Sequence, residues 1–500
     1  MRARLRNLRP MEQCPRVVVV GAGMGGLVAA CDLARAGLPV LVVEAEPAPG
    51  GKIRQEVVAG RVFDAGPTVC TMRPVFERIF ADAGVALADR VRLRPAEILA
   101  RHAWPDGSQL DLFADPERTF DAIADFAGPA EARAWLAFGR RAAIIHAEVE
   151  GPFIHGPRPT VGSLIAARGI HLFGSLKKID SFRTMWTALE RQFTDPRLRQ
   201  LFGRYATYCG SSPFEAPATL NLIAHVEQQG VWLVDGGMAA LARAVADLAV
   251  ELGVQFRYGT RVAALVGAGR VEGVELGDGE RIEAQHVVLN AGHAALAGGH
   301  LGPLGHRAAP RAPARSLSAI TSCTVARASG FPLDFHTVFF SADSPTEFRT
   351  LAAGHLPADP TVYVCAQDRD GFRPLAPGPE RLFMLINAPA RGDAEWPAGA
   401  LDDAWGAAEA RLRHAGLHLE VDAARRTTPT DFAARFPGTG GGLYGPPTHG
   451  WRASLARPET RTRLRGLYLA GGEVHPGAGV PMAALSGRLA AAAVAADVDR

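Results

Sequence analysis

Residues 17–26 read Val-Val-Val-Val-Gly-Ala-Gly-Met-Gly-Gly, and residues 39–44 read Pro-Val-Leu-Val-Val-Glu. A run of valines with no polar alternation is what a strand buried on both faces of a parallel sheet looks like. Residues 25–36 carry helix formers, and Gly37 ends that helix. A G-x-G-x-x-G turn between a buried strand and a helix, with an acid closing the next strand, is a dinucleotide-binding β-α-β unit. Gly21 permits the tight turn, Gly23 lets the backbone approach a pyrophosphate, and Gly26 lets helix and strand pack closely. Met24 and Gly25 open the helix whose N–H groups and positive end face the phosphates. Glu44 is placed to accept hydrogen bonds from the adenosine ribose and to repel a 2′-phosphate, which disfavours NADP.

The chain around this unit is 500 residues long, 48% hydrophobic and 21% charged, with a net charge of +3. That composition buries a large core and excludes a disordered, collagen-like or disulfide-stapled protein. The charge gives no reason to expect nucleic-acid binding. Lys occurs only at 52, 177 and 178, so Arg carries nearly all the basic charge. Cys14, Cys31, Cys70, Cys209, Cys323 and Cys365 are scattered without a C-x-x-C pair and read as free thiols of a reducing compartment. Residues 1–14 read as a loose leader, with Met11 an alternative start, because cleavage after the valine run would destroy the nucleotide turn. No uncharged apolar stretch is long enough for a membrane-spanning helix.

After Glu44 the chain does not run on into a second ordinary βα unit. Pro49-Gly50-Gly51-Lys52 and Phe63-Asp64-Ala65-Gly66-Pro67-Thr68 intervene. Near the other end stand Gly471-Gly472-Glu473-Val474-His475-Pro476-Gly477-Ala478-Gly479-Val480-Pro481-Met482. Together these segments resemble the carotenoid (phytoene-type) desaturases of the flavin amine-oxidase superfamily. Within that family they are most similar to the 1-hydroxycarotenoid 3,4-desaturases of purple bacteria, also called methoxyneurosporene dehydrogenases. The resemblance runs from residue 15 to 497. It implies FAD as cofactor, with Gly51 and Lys52 beside the phosphates and ribityl chain and Gly66, Pro67 and Thr68 near the flavin ring. It further implies the backbone of Val262 beside the adenine, and Gly472, Glu473, Val480 and Met482 around a second helix start facing the flavin. Lys52 stands where the family more often has Arg and would contact phosphate as a point charge. Glu473 and Val474 also depart from the family pattern; Glu473 could accept a ribityl hydroxyl or be a solvated loop acid.

The fold expected is α/β: a Rossmann-type FAD-binding domain with an interleaved α+β substrate domain and a helical, membrane-facing region. The FAD-binding parts are expected at 15–85, 214–298 and 456–500, with a substrate and helical region at 86–213 and a substrate domain at 299–455. Apolar residues at 172, 176, 179, 182, 186 and 189 predict one amphipathic helix, with Lys177, Lys178 and Arg183 beside it, suited equally to a membrane surface or to a core.

The reaction the resemblance implies is desaturation of a linear carotenoid: a hydride goes to the flavin, a proton is lost, and the electron acceptor is oxygen or a quinone. A substrate that partitions into lipid argues for a peripheral place on the cytoplasmic side of the inner or intracytoplasmic membrane. A polyene delocalises its own cation, so no nucleophile is expected. His293 and His475 are the candidates for proton relay, each better explained as structural, and Arg140 and Arg141 could meet an oxygenated substrate end. His414 and His418 have ligand-like spacing without a third ligand, so no metal is assigned. A flavin amine oxidase, a non-catalytic prenyl or lipid binder, a phytoene desaturase and a plain NAD dehydrogenase are the rival readings.

Overall fold

The computed structural model describes residues 16–159, 178–309 and 311–498. Strand β1 (Val17–Val20) lies at the centre of a five-stranded sheet with β2 (Val40–Val43), β3 (Gln255–Arg257), β4 (His286–Leu289) and β5 (Leu467–Leu469), in the order β5-β4-β1-β2-β3. Every pairing in it is parallel. Strand alternation sorts the valines between two cores. Val17 and Val19 pack with helices α1 (Met24–Arg35), α2 (Met238–Glu251) and α3 (Val480–Val498). Val18 and Val20 face a three-stranded antiparallel layer, 262–266, 273–276 and 281–283.

A second sheet of seven strands runs in the order 417–427, 318–330, 380–388, 362–366, 336–339, 98–103, 109–113. It is antiparallel except where 336–339 pairs with 98–103. The strands before residue 120 thus join those after residue 300. The hairpin of 55–58 and 61–64 packs Val58 and Phe63 onto this sheet beside Cys323 and Phe383, which links the cofactor side to the substrate side.

The structure corrects one expectation. No single helix spans 172–189: Leu172, Leu176 and Lys177 lie outside the described residues, Asp180 has φ +55°, and a helix starts only at Met185 with Thr184 as its cap. A left-handed residue breaks the helical register, and Phe182 points to solvent, 63% exposed. His414 and His418 do not share a helix face. The helix of 400–414 ends at His414, Gly416 turns at φ +84°, and His418 belongs to the next strand. The leader 1–14 and Met11 lie outside the described residues.

Candidate active site

Three backbone turns converge at the C-terminal edge of the parallel sheet, where such sheets bind ligands. The first is 21–26. Gly23 precedes α1 with no side-chain cap and no acid in the first turn, so its N–H groups are left for an anion. The second is Gly50–Gly51, bridged to Gly23, where a Cβ on Gly51 would sit 3.1 Å from the Gly23 Cα. The third is 470–472, which leads to α3; Ser486 fixes it by accepting the Gly471 N–H at 2.7 Å. Asn290, at the end of β4, is the post around which the first and third turn. A Cβ on Gly23 would come within 2.5 Å of its Nδ2, and one on Gly25 or Gly471 within 2.8 or 2.9 Å of its Oδ1. Any side chain at these glycines would fill the cradle.

Glu44 closes β2 and is buried. Its carboxylate accepts the Ala22 N–H at 2.5 Å and the Glu46 N–H at 2.8 Å. Burial pushes its pKa up and the two N–H bonds pull it back. Val262 stands in the strand beside this edge, packed in the same core as Val20 and Val43. Thr260 donates its N–H to the Glu44 carbonyl at 2.8 Å.

Lys52 turns inward, donates to the Leu443 carbonyl at 2.7 Å and lies over the Phe436 ring. Burial lowers its pKa, opposed by the Glu473 carboxylate. Glu473 is 6% exposed, not a solvated loop acid, and accepts the Ala294 N–H at 3.0 Å. Arg457, between Gly472 and Pro446, donates to both carbonyls. Gly66 lies against the Lys52 carbonyl, Pro67 and Thr68 are half-buried, and Thr68 shares a 2.7 Å hydrogen bond with Tyr363. Val480 and Met482 pack at the start of α3 on the α1 core. Turns too close for a Cβ, an uncapped helix start, a carboxylate at the second strand and a buried cation fit the diphosphate, ribose and adenine of FAD.

The two histidines are differently placed. His475 is buried, and its Nε2 bonds the Gly156 carbonyl at 3.0 Å, so that nitrogen is committed to the backbone. His293 starts a short helix with its Nδ1 unpartnered. Arg140 is exposed and Arg141 half-buried on the helix of 129–149. The resemblance also implies that the strand ending Asn290-Ala291-Gly292 closes back over the nucleotide, whereas Arg457, Arg204, His336 and Tyr363 become informative only when segments far apart in the chain are brought together.

The family model for flavin-containing amine oxidoreductases matches residues 24–495. The chain belongs to that family. Hydroxyneurosporene desaturase of Rubrivivax gelatinosus is 50% identical over 492 residues, covering 97% of this chain and 94% of its own. The protein of the same name from Cereibacter sphaeroides is 46% identical, covering 97% and 98%. These relatives put the chain in the carotenoid desaturase branch of the family, and it is an FAD-dependent oxidoreductase. An oxidoreductase from Methanosarcina mazei shares the fold at a TM-score of 0.61 and 17% identity, covering 95% of this chain and 99% of its own. A putrescine oxidase variant does so at 0.60 and 16%, covering 97% and 99%.

Proposed function

We propose that the protein introduces the C3–C4 double bond into a linear carotenoid bearing an oxygen on C1, 1-hydroxy- or methoxyneurosporene. The observation that carries this reading is the identity to hydroxyneurosporene desaturases over nearly the whole chain. Bound flavin supplies the hydride acceptor. The chain's own part is binding and exclusion of water. The glycine turns and Glu44 hold the nucleotide, and Lys52 and Arg457 tie the 443–446 and 472 segments around it. Positioning of this kind accounts for much of a barrier reduction without covalent help from the protein.

The same reading places the protein on the cytoplasmic side of the inner or intracytoplasmic membrane, with oxygen or a quinone as final acceptor. No helix among the described residues is long and apolar enough to cross a membrane. A surface pair supports peripheral docking: Phe182 and Trp451 are both exposed, with ring centroids 5.8 Å apart, and Arg452 lies over the Trp451 ring. Exposed aromatics beside a cation suit a headgroup layer.

The test is pigment analysis after expression in a host making neurosporene and its 1-hydroxy derivative, with the flavin spectrum recorded. The expected product gains one double bond at C3–C4 from the hydroxylated compound only. Desaturation of phytoene would move the reading to a phytoene desaturase. Bound flavin with no pigment change would point to amine oxidation, and neither flavin nor change to a lipid carrier.

A further inference from the structure

A line of buried polar groups leads away from the cofactor turns through Thr68. Tyr363 hydroxyl bonds Thr68 on one side and His336 Nδ1, also at 2.7 Å, on the other. Beyond them is a cavity of about 20 Å³, room for one hydroxyl-sized group. Its wall is mostly apolar, with Val69, Leu201 and Val338 against Arg204, His336 and Tyr363. Two of the residues lining it carry a buried nitrogen with no hydrogen-bond partner, Arg204 at Nε and His336 at Nε2. Such orphans are uncommon, because each loses its bonds to water without replacement. Glu227 lines the same cavity but is already satisfied, accepting from the hydroxyls of Tyr205 and Tyr208.

The orphans are complementary. His336 is 3% exposed, and burial pushes its imidazole down to about 3, so the ring is neutral and carries one proton. In the tautomer whose Nδ1–H donates to Tyr363, Nε2 is a bare acceptor, whereas Arg204 Nε–H is a donor. One alcohol answers both, accepting from Arg204 and donating to His336. A hydrocarbon chain end answers neither. We propose that Arg204 and His336 seat the substrate's C1 hydroxyl, with Tyr363 and Thr68 fixing the imidazole, and so select oxygenated over hydrocarbon carotenoids. The placement agrees with the chemistry: C1 and C3 are separated by a single methylene, so a hydroxyl seat for 3,4-desaturation must adjoin the site of oxidation. Thr68 lies two residues from Gly66, which packs on Lys52 of the cofactor cradle. The inference rests on the function proposed for the chain, 3,4-desaturation of an oxygenated carotenoid.

The experiment compares kcat/KM for 1-hydroxyneurosporene, its methyl ether and neurosporene, using flavin-loaded full-length wild type, Arg204→Met and His336→Leu. Far-ultraviolet dichroism and the flavin spectrum confirm folding. His336→Leu is expected to erase the preference for the alcohol over the ether, which has no proton to donate. Arg204→Met is expected to lower kcat/KM for both oxygenated compounds about tenfold or more relative to wild type. Tyr363→Phe keeps the shape and unfixes the imidazole, and is expected to weaken the alcohol-over-ether preference even where a cavity variant does not fold. Active variants that keep the wild-type ratios overturn this inference alone. Wild type that acts on none of the three compounds overturns the proposed function with it.

Discussion

Glu44 is a carboxylate that fixes the fold at the first glycine turn and is expected to serve the cofactor as well. It holds the first glycine turn through the Ala22 N–H and stands at the ribose position of the unit. Glu44→Gln keeps the size and removes the charge from those bonds, which are worth about 1.5–3 kcal/mol to a charged acceptor. FAD affinity is expected to fall roughly tenfold or more, read by flavin titration of the apoprotein; unchanged affinity would refute the role. His102 makes a different test. It is buried, stacked on Phe340, and pushed down to about 4 chiefly by burial, with Arg204 adding to the shift. Above pH 6.5 the ring is neutral folded or unfolded; below it the unfolded chain takes up the proton first, so stability falls from pH 6.5 towards 4. His102→Phe keeps the stack and lacks the titration. Between pH 7 and 5 the variant is expected to lose about 2 kcal/mol less than wild type, and melts giving parallel pH profiles would contradict this. At this scale the sequence is legible where a residue type has a narrow use, as with Gly23, Gly26 and Glu44. It is silent at His336 and Arg204, because a histidine in a strand and an arginine after a helix are ordinary until their burial is known.

Helices α1 and α3 are where element packing governs the site. A Cβ on Gly487 would lie 2.2 Å from the Gly25 carbonyl oxygen, and one on Gly26 2.1 Å from that of Gly21. The first approach brings the two helices backbone to backbone, the second packs α1 on its own preceding turn, and each helix carries one of the turns gathered on Asn290. Arg488 adds ion pairs to Asp32 of α1 and to Asp82. Gly487→Ala is expected to push α3 off α1 at a cost of about 1–3 kcal/mol. Both Tm and flavin content would drop; a drop in Tm with full flavin retention would show that the turns tolerate the shift. The β-α-β unit was readable because strand, turn and helix are consecutive. The helix expected over 172–189 was misread because apolar spacing alone does not register the backbone reversal at Asp180 or the cap at Thr184.

At the scale of the molecule, a sheet is assembled from strands between residues 17 and 469, and no spacing rule gives its order β5-β4-β1-β2-β3. The motifs at the two chain ends announced the cofactor because both must reach Asn290, and that requirement restricts them to glycine. The seven-stranded sheet left no such mark: its pairing of 98–103 with 336–339 depends on closing a loop through the whole middle of the chain. The exposed aromatic pair is likewise a product of distant segments, Phe182 meeting Trp451. If that pair docks, its main contribution is apolar burial: Lys178 is engaged with Glu148 and Arg183 with Asp180, and Arg452 over the Trp451 ring adds a single exposed charge. Full burial of one such ring is worth roughly 1.5–3 kcal/mol, a tenfold or larger change in partitioning. Wild type is therefore expected to float with liposomes and to lose little binding as salt is raised, because screening acts on exposed charge and not on buried rings. Phe182→Ser with Trp451→Ser is expected to leave most of the protein in the soluble fraction while retaining flavin. Flotation of the double variant equal to wild type would place the docking surface elsewhere, and binding that vanishes at high salt would show that charge, not the aromatic pair, carries it.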